Sequence, residues 1–239
     1  MIQSPSDANR IEQPVARSGE RDTSEDSALP ADGLPSMANA RFAAPAPSIR
    51  AATPSHDMLL IGSNVQINGL ITNQTVVSFM NQLGQVRSKN EDLILELMTT
   101  GGDADAARRI ALEIRIFKSH SGREAYCVGK TIVYSAGITV LSAFDCANRY
   151  LTADTTLLVH ERHVDKTLAL SGPIKSTIQI VREELAALET AERIEKEDFA
   201  HFVEGSGLTT DELYDRAVEN CYLSAAEALE LRLVTKVLA

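Results

Sequence analysis

The chain has 239 residues, 44% hydrophobic and 23% charged, enough apolar material for one sizeable domain or two small ones. Its 23 Lys and Arg against 33 Asp and Glu leave a formal net charge of -10, which disfavours non-specific nucleic-acid binding. No run approaches the roughly 18 to 20 apolar residues of a membrane-spanning helix, and the N-terminal segment lacks an apolar signal core. Three scattered cysteines, Cys127, Cys146 and Cys221, fit neither a disulfide framework nor a CxxC metal site. The expectation is a soluble, cytoplasmic chain with no cofactor, no nucleic-acid partner and no membrane contact.

Seven of the eight prolines lie in the first 55 residues, among Ser, Ala, Asp and Glu; only Pro173 lies beyond. Such a segment cannot bury enough surface to offset its ordering entropy, so residues 1–55 are expected to form a disordered tail and residues 56–239 the domain. MLLIGSNVQI, from Met58, reads as a strand pair or a strand and turn. Residues 74–87 place Val76, Val77, Phe79, Met80 and Leu83 at helical spacing, and DLILELMTT (92–100) reads as a buried strand. Gly101-Gly102 follows, then a helix capped by Asp103, with Ala107, Ile110, Ile114 and Phe117 on one face. A strand over 124–128, a linker (GKTIVY) and a helix opening near Ser135 come next. RYLTA and TTLLVH then read as a strand pair ending at His160.

Residues 173–204 form one long helical pattern. Ile174, Ile178, Val181, Leu185 and Leu188 step by four, three, four and three, the 3.5-residue seam of helix–helix packing; an amphipathic helix covering the chain's own sheet would also show it. Gly205 and Gly207 end the pattern. TTDELYDRAVENCY reads as a short helix capped by Thr209 or Thr210, and LSAAEALELRLV as another, opened by a Ser224/Glu227 capping box. Strands alternating with helices point to an α/β fold with mostly parallel pairing, because parallel strands need crossovers.

Three features carry chemistry. Gly101-Gly102 stands where a buried strand hands over to a helix, so backbone N–H groups can face a ligand closely. Neither GxGxxG nor GxxxxGK[ST] is present, which removes support for nucleotide binding. Ser135, between Tyr134 and Ala136-Gly137, is either an N-cap or a nucleophile placed at a helix start. His160 ends a strand and has the fixed base and free edge of a general base; His163, three residues on, ranks second.

In order and spacing these segments resemble the Clp-type serine peptidase family, with its Clp/crotonase-like fold. TTGG stands where the family has Ser-Pro-Gly-Gly, and YSAG where it carries Ala-Ser-Met-Gly. LLVHER stands where an apolar strand ends in the family's His-Gln, and His160 lies 25 residues after Ser135, as in the family. CYLSAAEALELRLVTKV resembles the family's C-terminal segment. The resemblance runs from about Met58 to the C-terminus. It implies Ser135 as nucleophile, His160 as general base, and the N–H groups of Gly102 and Ala136 as the oxyanion hole. It also implies that the long 173–204 helix is the handle joining two stacked rings of a homo-oligomer. The substrate would be a peptide or unfolded protein, with an ATPase as a possible partner and no metal or organic cofactor.

The departures are specific. The TTGG turn lacks proline, two extra residues separate Gly129 from Ser135, and Glu161 replaces the glutamine. Ala136 replaces methionine, though only its backbone is needed. Arg216 falls where the family has its third triad residue, an Asp. Asp215 is the nearest replacement, about 100° away around a helix, with Glu212 and Glu219 closer to the Arg216 face. The expected function is therefore a Clp-like serine endopeptidase. The alternatives are a weak or inactive scaffold subunit of the same fold, or an acyl-CoA enzyme of the crotonase type.

Overall fold

In a computed structural model of the protein the structure describes residues 54–239. The expected tail, residues 1–55, lies outside the described residues except for Pro54 and Ser55. The first element is a helix, α1 (His56–Ile61), where a strand was expected. The four-residue apolar run 58–61 does not distinguish the two states; the Ser55 side chain does, by accepting the Met58 N–H, with Gly62 closing the other end. The strand follows one turn later as β1 (Val65–Asn68).

α2 (Asn73–Lys89) opens on a Thr72/Thr75 capping box and ends on Asn90 in the left-handed region. β2 (Leu93–Thr99) leads to α3 (Ala104–Ser121), where the N–H groups of Asp105 and Ala106 donate to the Asp103 carboxylate, the expected cap. β3 (Ala125–Tyr134) is ten residues long, because GKTIVY continues the strand instead of linking it to a helix. Its middle bends at Thr131, φ 60°, and the polar pair Lys130-Thr131 is what gives this stretch the look of a linker. Ser135 then turns the chain into the short α4 (Ala136–Leu141).

β4 (Arg149–Thr152) and β5 (Thr156–Val159) do not pair with each other, contrary to the expectation. Both lie parallel to β3: β4 against Cys127–Gly129 and β5 against Ile132–Tyr134, on either side of the bend. The long α5 (Ile174–Val203) and α6 (Thr210–Val218) come next, α6 capped by Thr209 and Glu212. Two short strands escaped the sequence reading. β6 (Cys221–Ser224) runs antiparallel to β5, and β7 (Lys236–Leu238), after α7 (Ala225–Glu230), runs parallel to β4. Each is only three or four residues, too short for a periodicity to register. The sheet order is β1-β2-β3-β4-β7, with β5 and β6 branching from the far half of β3.

Side chains alternate across this sheet with period two. Leu93, Leu95 and Leu97 face the main core with Phe79, Ile110, Ile114 and Phe117, while Ile94 faces a second cluster with Leu59 of α1, Tyr126 and Tyr150. Arg149 is 1% exposed and meets carbonyls instead of a carboxylate: its guanidinium donates to Phe144, Phe202 and Leu233, and to Ser142 and His201. Burial lowers its pKa, and the five acceptors stitch the end of α4, the end of α5 and the C-terminal segment together.

α5 is about 45 Å long at 1.5 Å per residue. Its buried residues lie only in the last third: Glu195, Asp198, Phe199, Phe202 and Val203. The seam Ile174, Ile178, Val181, Leu185 and Leu188 is 42–80% exposed, so it does not cover the chain's own sheet. Among the described residues no helix is long and apolar enough to cross a membrane.

Candidate active site

The site begins at the C-terminal ends of β2 and β3. After Thr99 the chain turns through Gly101 (φ 97°) and Gly102 (φ 136°), backbone conformations that L side chains rarely adopt. Ile71 donates to the Gly101 carbonyl at 2.8 Å, and Asp103 donates to the Ile71 carbonyl at 2.9 Å. In a parallel bridge of this kind one residue bonds the two neighbours of its partner, so the N–H of Gly102 itself points away from Ile71. A Cβ on Gly102 would stand 2.3 Å from the Ile71 oxygen, and one on Gly101 would stand 2.7 Å from the Ser135 Cβ. Both glycines are therefore set by close backbone approach.

Ser135 ends β3 with φ 54° and ψ -118°, a strained conformation for a non-glycine residue. Its N–H donates to the Leu158 carbonyl at 2.8 Å, tying the turn to β5. It occupies the N-cap position of α4, but its side chain makes no capping hydrogen bond. Ala136 opens α4, so its N–H is one of those that helix geometry leaves without an intrahelical partner. His160 is the first residue after β5. Its Nδ1 lies 2.6 Å from the Glu161 carbonyl, which can only accept, so Nδ1 carries a proton and in the neutral imidazole Nε2 is the nitrogen with the lone pair.

Ser135, His160, Gly102 and Ala136 line one cavity of about 410 Å³, open to solvent. Among the described residues no hydrogen bond joins Ser135 to His160; such contacts commonly tighten only when substrate is bound. His163 also lines the cavity, with its ring centroid 5.4 Å from that of His160. The acidic candidates on α6 do not. Asp215 and Glu219 are exposed, and Glu212 is engaged in the Thr209 capping box, whose hydrogen bonds hold its pKa down. Arg216 is exposed as well.

Three acids line the cavity: Glu161, half-buried directly after His160, and Glu195 and Asp198, both buried on α5. Glu195 and Asp198 are not legible in the sequence. On a helix rich in Glu and Lys, nothing but tertiary burial distinguishes them from solvated acids. Asp198 is held by Arg162 at 3.0 Å and Arg108 at 3.6 Å. Glu195 accepts the Arg162 backbone N–H. Burial and the neighbouring Glu161 carboxylate push its pKa up, against the lowering effect of that hydrogen bond and of the positive charges of Arg162 and His160.

A mostly parallel α/β sheet that presents a strained serine, an imidazole and outward N–H groups around one opening has the layout of a serine-type hydrolase. The chain belongs to the Clp protease family, whose model matches residues 50–239. It is 26% identical over 175 residues to the ATP-dependent Clp protease proteolytic subunit 2 of Pseudomonas aeruginosa, covering 73% of this chain and 80% of the relative. A mutant ClpP1 from Listeria monocytogenes superposes with a TM-score of 0.58 at 21% identity, over 74% of this chain and 92% of that one, a likeness of fold. The Clp/crotonase-like α/β class and the serine-peptidase family expected from the resemblance are those found.

Proposed function

We propose that this chain is a working serine endopeptidase of the Clp type, with Ser135 as nucleophile and His160 as general base. The observation that carries the reading is the meeting of Ser135, His160, Gly102 and Ala136 at one open cavity. Ser135 Oγ attacks a peptide carbonyl while its proton passes to His160 Nε2. The negative charge developing on the carbonyl oxygen is met by the N–H groups of Gly102 and Ala136. Collapse of the tetrahedral species breaks the C–N bond, and His160 returns the proton to the leaving amine. Water, deprotonated by the same imidazole, then releases the acyl group from Ser135. None of these steps draws on a metal or organic cofactor.

The substrate is a peptide or an unfolded protein, which suits a cavity open to solvent. The exposed seam of α5 supports a homo-oligomer, read as stacked rings. Similarity to an ATP-dependent protease subunit of Pseudomonas aeruginosa supports an ATPase partner. Free cysteines, one of them buried, support a cytoplasmic location.

A second reading, an inactive scaffold subunit, is favoured by Arg216 at the family's acid position and by the absence of any α6 carboxylate from the cavity. Fluorophosphonate labelling of the native protein and of Ser135→Ala, read by intact mass, separates the two. The peptidase reading expects one adduct on the native chain and none on the variant. A folded oligomer without an adduct would establish the scaffold reading.

A further inference from the structure

The cavity holds two buried carboxylates from one stretch of α5, and they differ in what neutralises them. Asp198 is met by two guanidinium groups. Glu195 is 6% exposed, and among the described residues it forms no ion pair with Lys, Arg or His; its bonded partner is the Arg162 backbone N–H. An anion buried without a counter-ion is costly, and such groups are characteristic of sites where a positive charge arises beside them during turnover. In this cavity that charge arises on His160, two residues before the amide that Glu195 holds. The carboxylate is thus fastened to the segment that bears the base.

We infer that Glu195 is the acidic partner of the Ser135–His160 site, supplying from α5 the negative charge that stabilises the His160 imidazolium in the transition state. The inference rests on the reading of Ser135 and His160 given above. Two jobs that a single carboxylate does in a Ser-His-acid triad are divided here. The Glu161 carbonyl holds Nδ1–H and so the ring's tautomer and orientation, while Glu195 supplies the charge. Burial and the Glu161 carboxylate raise the pKa of Glu195, while the positive charges of Arg162 and His160 lower it, so His160 is one of the cations that favour its anion. Arg216 on α6 then carries no penalty, because the acid comes from a different helix. Glu195 acts through His160 and is a positioning residue.

The test is the second-order rate of fluorophosphonate labelling at Ser135 in the full-length protein, with oligomeric state and melting followed on the same samples. Glu195→Gln keeps an acceptor for the Arg162 amide and removes the charge. It is expected to slow labelling about 100-fold or more, with the oligomer intact. Glu195→Asp, which keeps the charge, is expected to recover at least about a tenth of the native rate. Asp215→Asn is expected to change the rate less than about threefold, since that residue stands outside the cavity. A native-like rate in Glu195→Gln would overturn the inference. So would equal losses in Glu195→Gln and Glu195→Asp, which would mark a purely structural contact. A large loss in Asp215→Asn would return the role to α6, even if the Glu195 variants failed to fold. Native protein without an adduct would strike at the Ser135–His160 reading itself, and the inference would fall with it.

Discussion

Ser135 is held in a strained turn by its neighbours. The backbone at φ 54° is retained because β3 delivers the chain from one side, Leu158 accepts the N–H from another, and Gly101 leaves room on the third. Gly101→Ala tests this directly. The new Cβ would lie 2.7 Å from the Ser135 Cβ and 3.0 Å from the Tyr134 oxygen, at a φ of 97° that alanine resists. The expected outcome is a loss of about 1–3 kcal/mol of stability in denaturant unfolding, with labelling of Ser135 slowed at least about tenfold. Ser135 and His160 were legible because a polar residue at a strand end, flanked by glycine or by charge, breaks an otherwise apolar pattern. Glu195 was not legible, because its neighbours Glu192, Lys196 and Glu197 are exposed acids and bases of the same kind.

Between elements, α2 and α3 are joined by one buried acid. Glu113 of α3 accepts from Arg87 of α2 at 3.0 Å and from Arg109 of its own helix at 2.6 Å. Burial alone would raise its pKa, but the two guanidinium groups outweigh burial and the net direction is down. The folded state thus favours the charged form more than the unfolded chain does. The stabilisation is fully present above the ordinary carboxylate value of about 4.3, and is lost as pH falls through the lower folded value. Glu113→Gln should cost about 1–2 kcal/mol at neutral pH, at the low end because both arginines are partly exposed. The gap between variant and native protein should then close below about pH 4. Unfolding midpoints at neutral pH and at about pH 3, at fixed protein concentration, check both statements. Element identity was readable wherever caps and long periodic faces agreed, as in α2, α3, α5 and α6. It failed at α1, where a short apolar run fits either state, and along β3, where a bend placed polar residues inside a strand.

At the scale of the whole molecule, α5 joins two functions. Its first two-thirds project an apolar seam into solvent, and its last third brings Glu195 and Asp198 into the cavity. If the seam is the surface on which copies of the chain meet, Leu185→Glu should leave the monomer fold and its circular dichroism intact and shift sedimentation velocity to a smaller species. Leu185 is 54% exposed, so the variant removes little packing within the chain. An unchanged assembly would assign the oligomer contacts to another face.

By itself the sequence determined the α/β class and the order of the main elements, and its resemblance to a known family marked Ser135 and His160 as candidates. The class and the element order follow from local patterns: periodicities of two and 3.6, capping residues, and glycines at a strand-to-helix turn. Only the tertiary structure decided which strands are neighbours, since β4 and β5 are adjacent in sequence yet pair with opposite halves of β3. It also decided which acids reach the cavity that holds the histidine. Burial and the identity of a hydrogen-bond partner depend on segments far apart in the chain, and the Glu195–Arg162 contact, 33 residues apart, forms only once α5 has packed beside the end of β5.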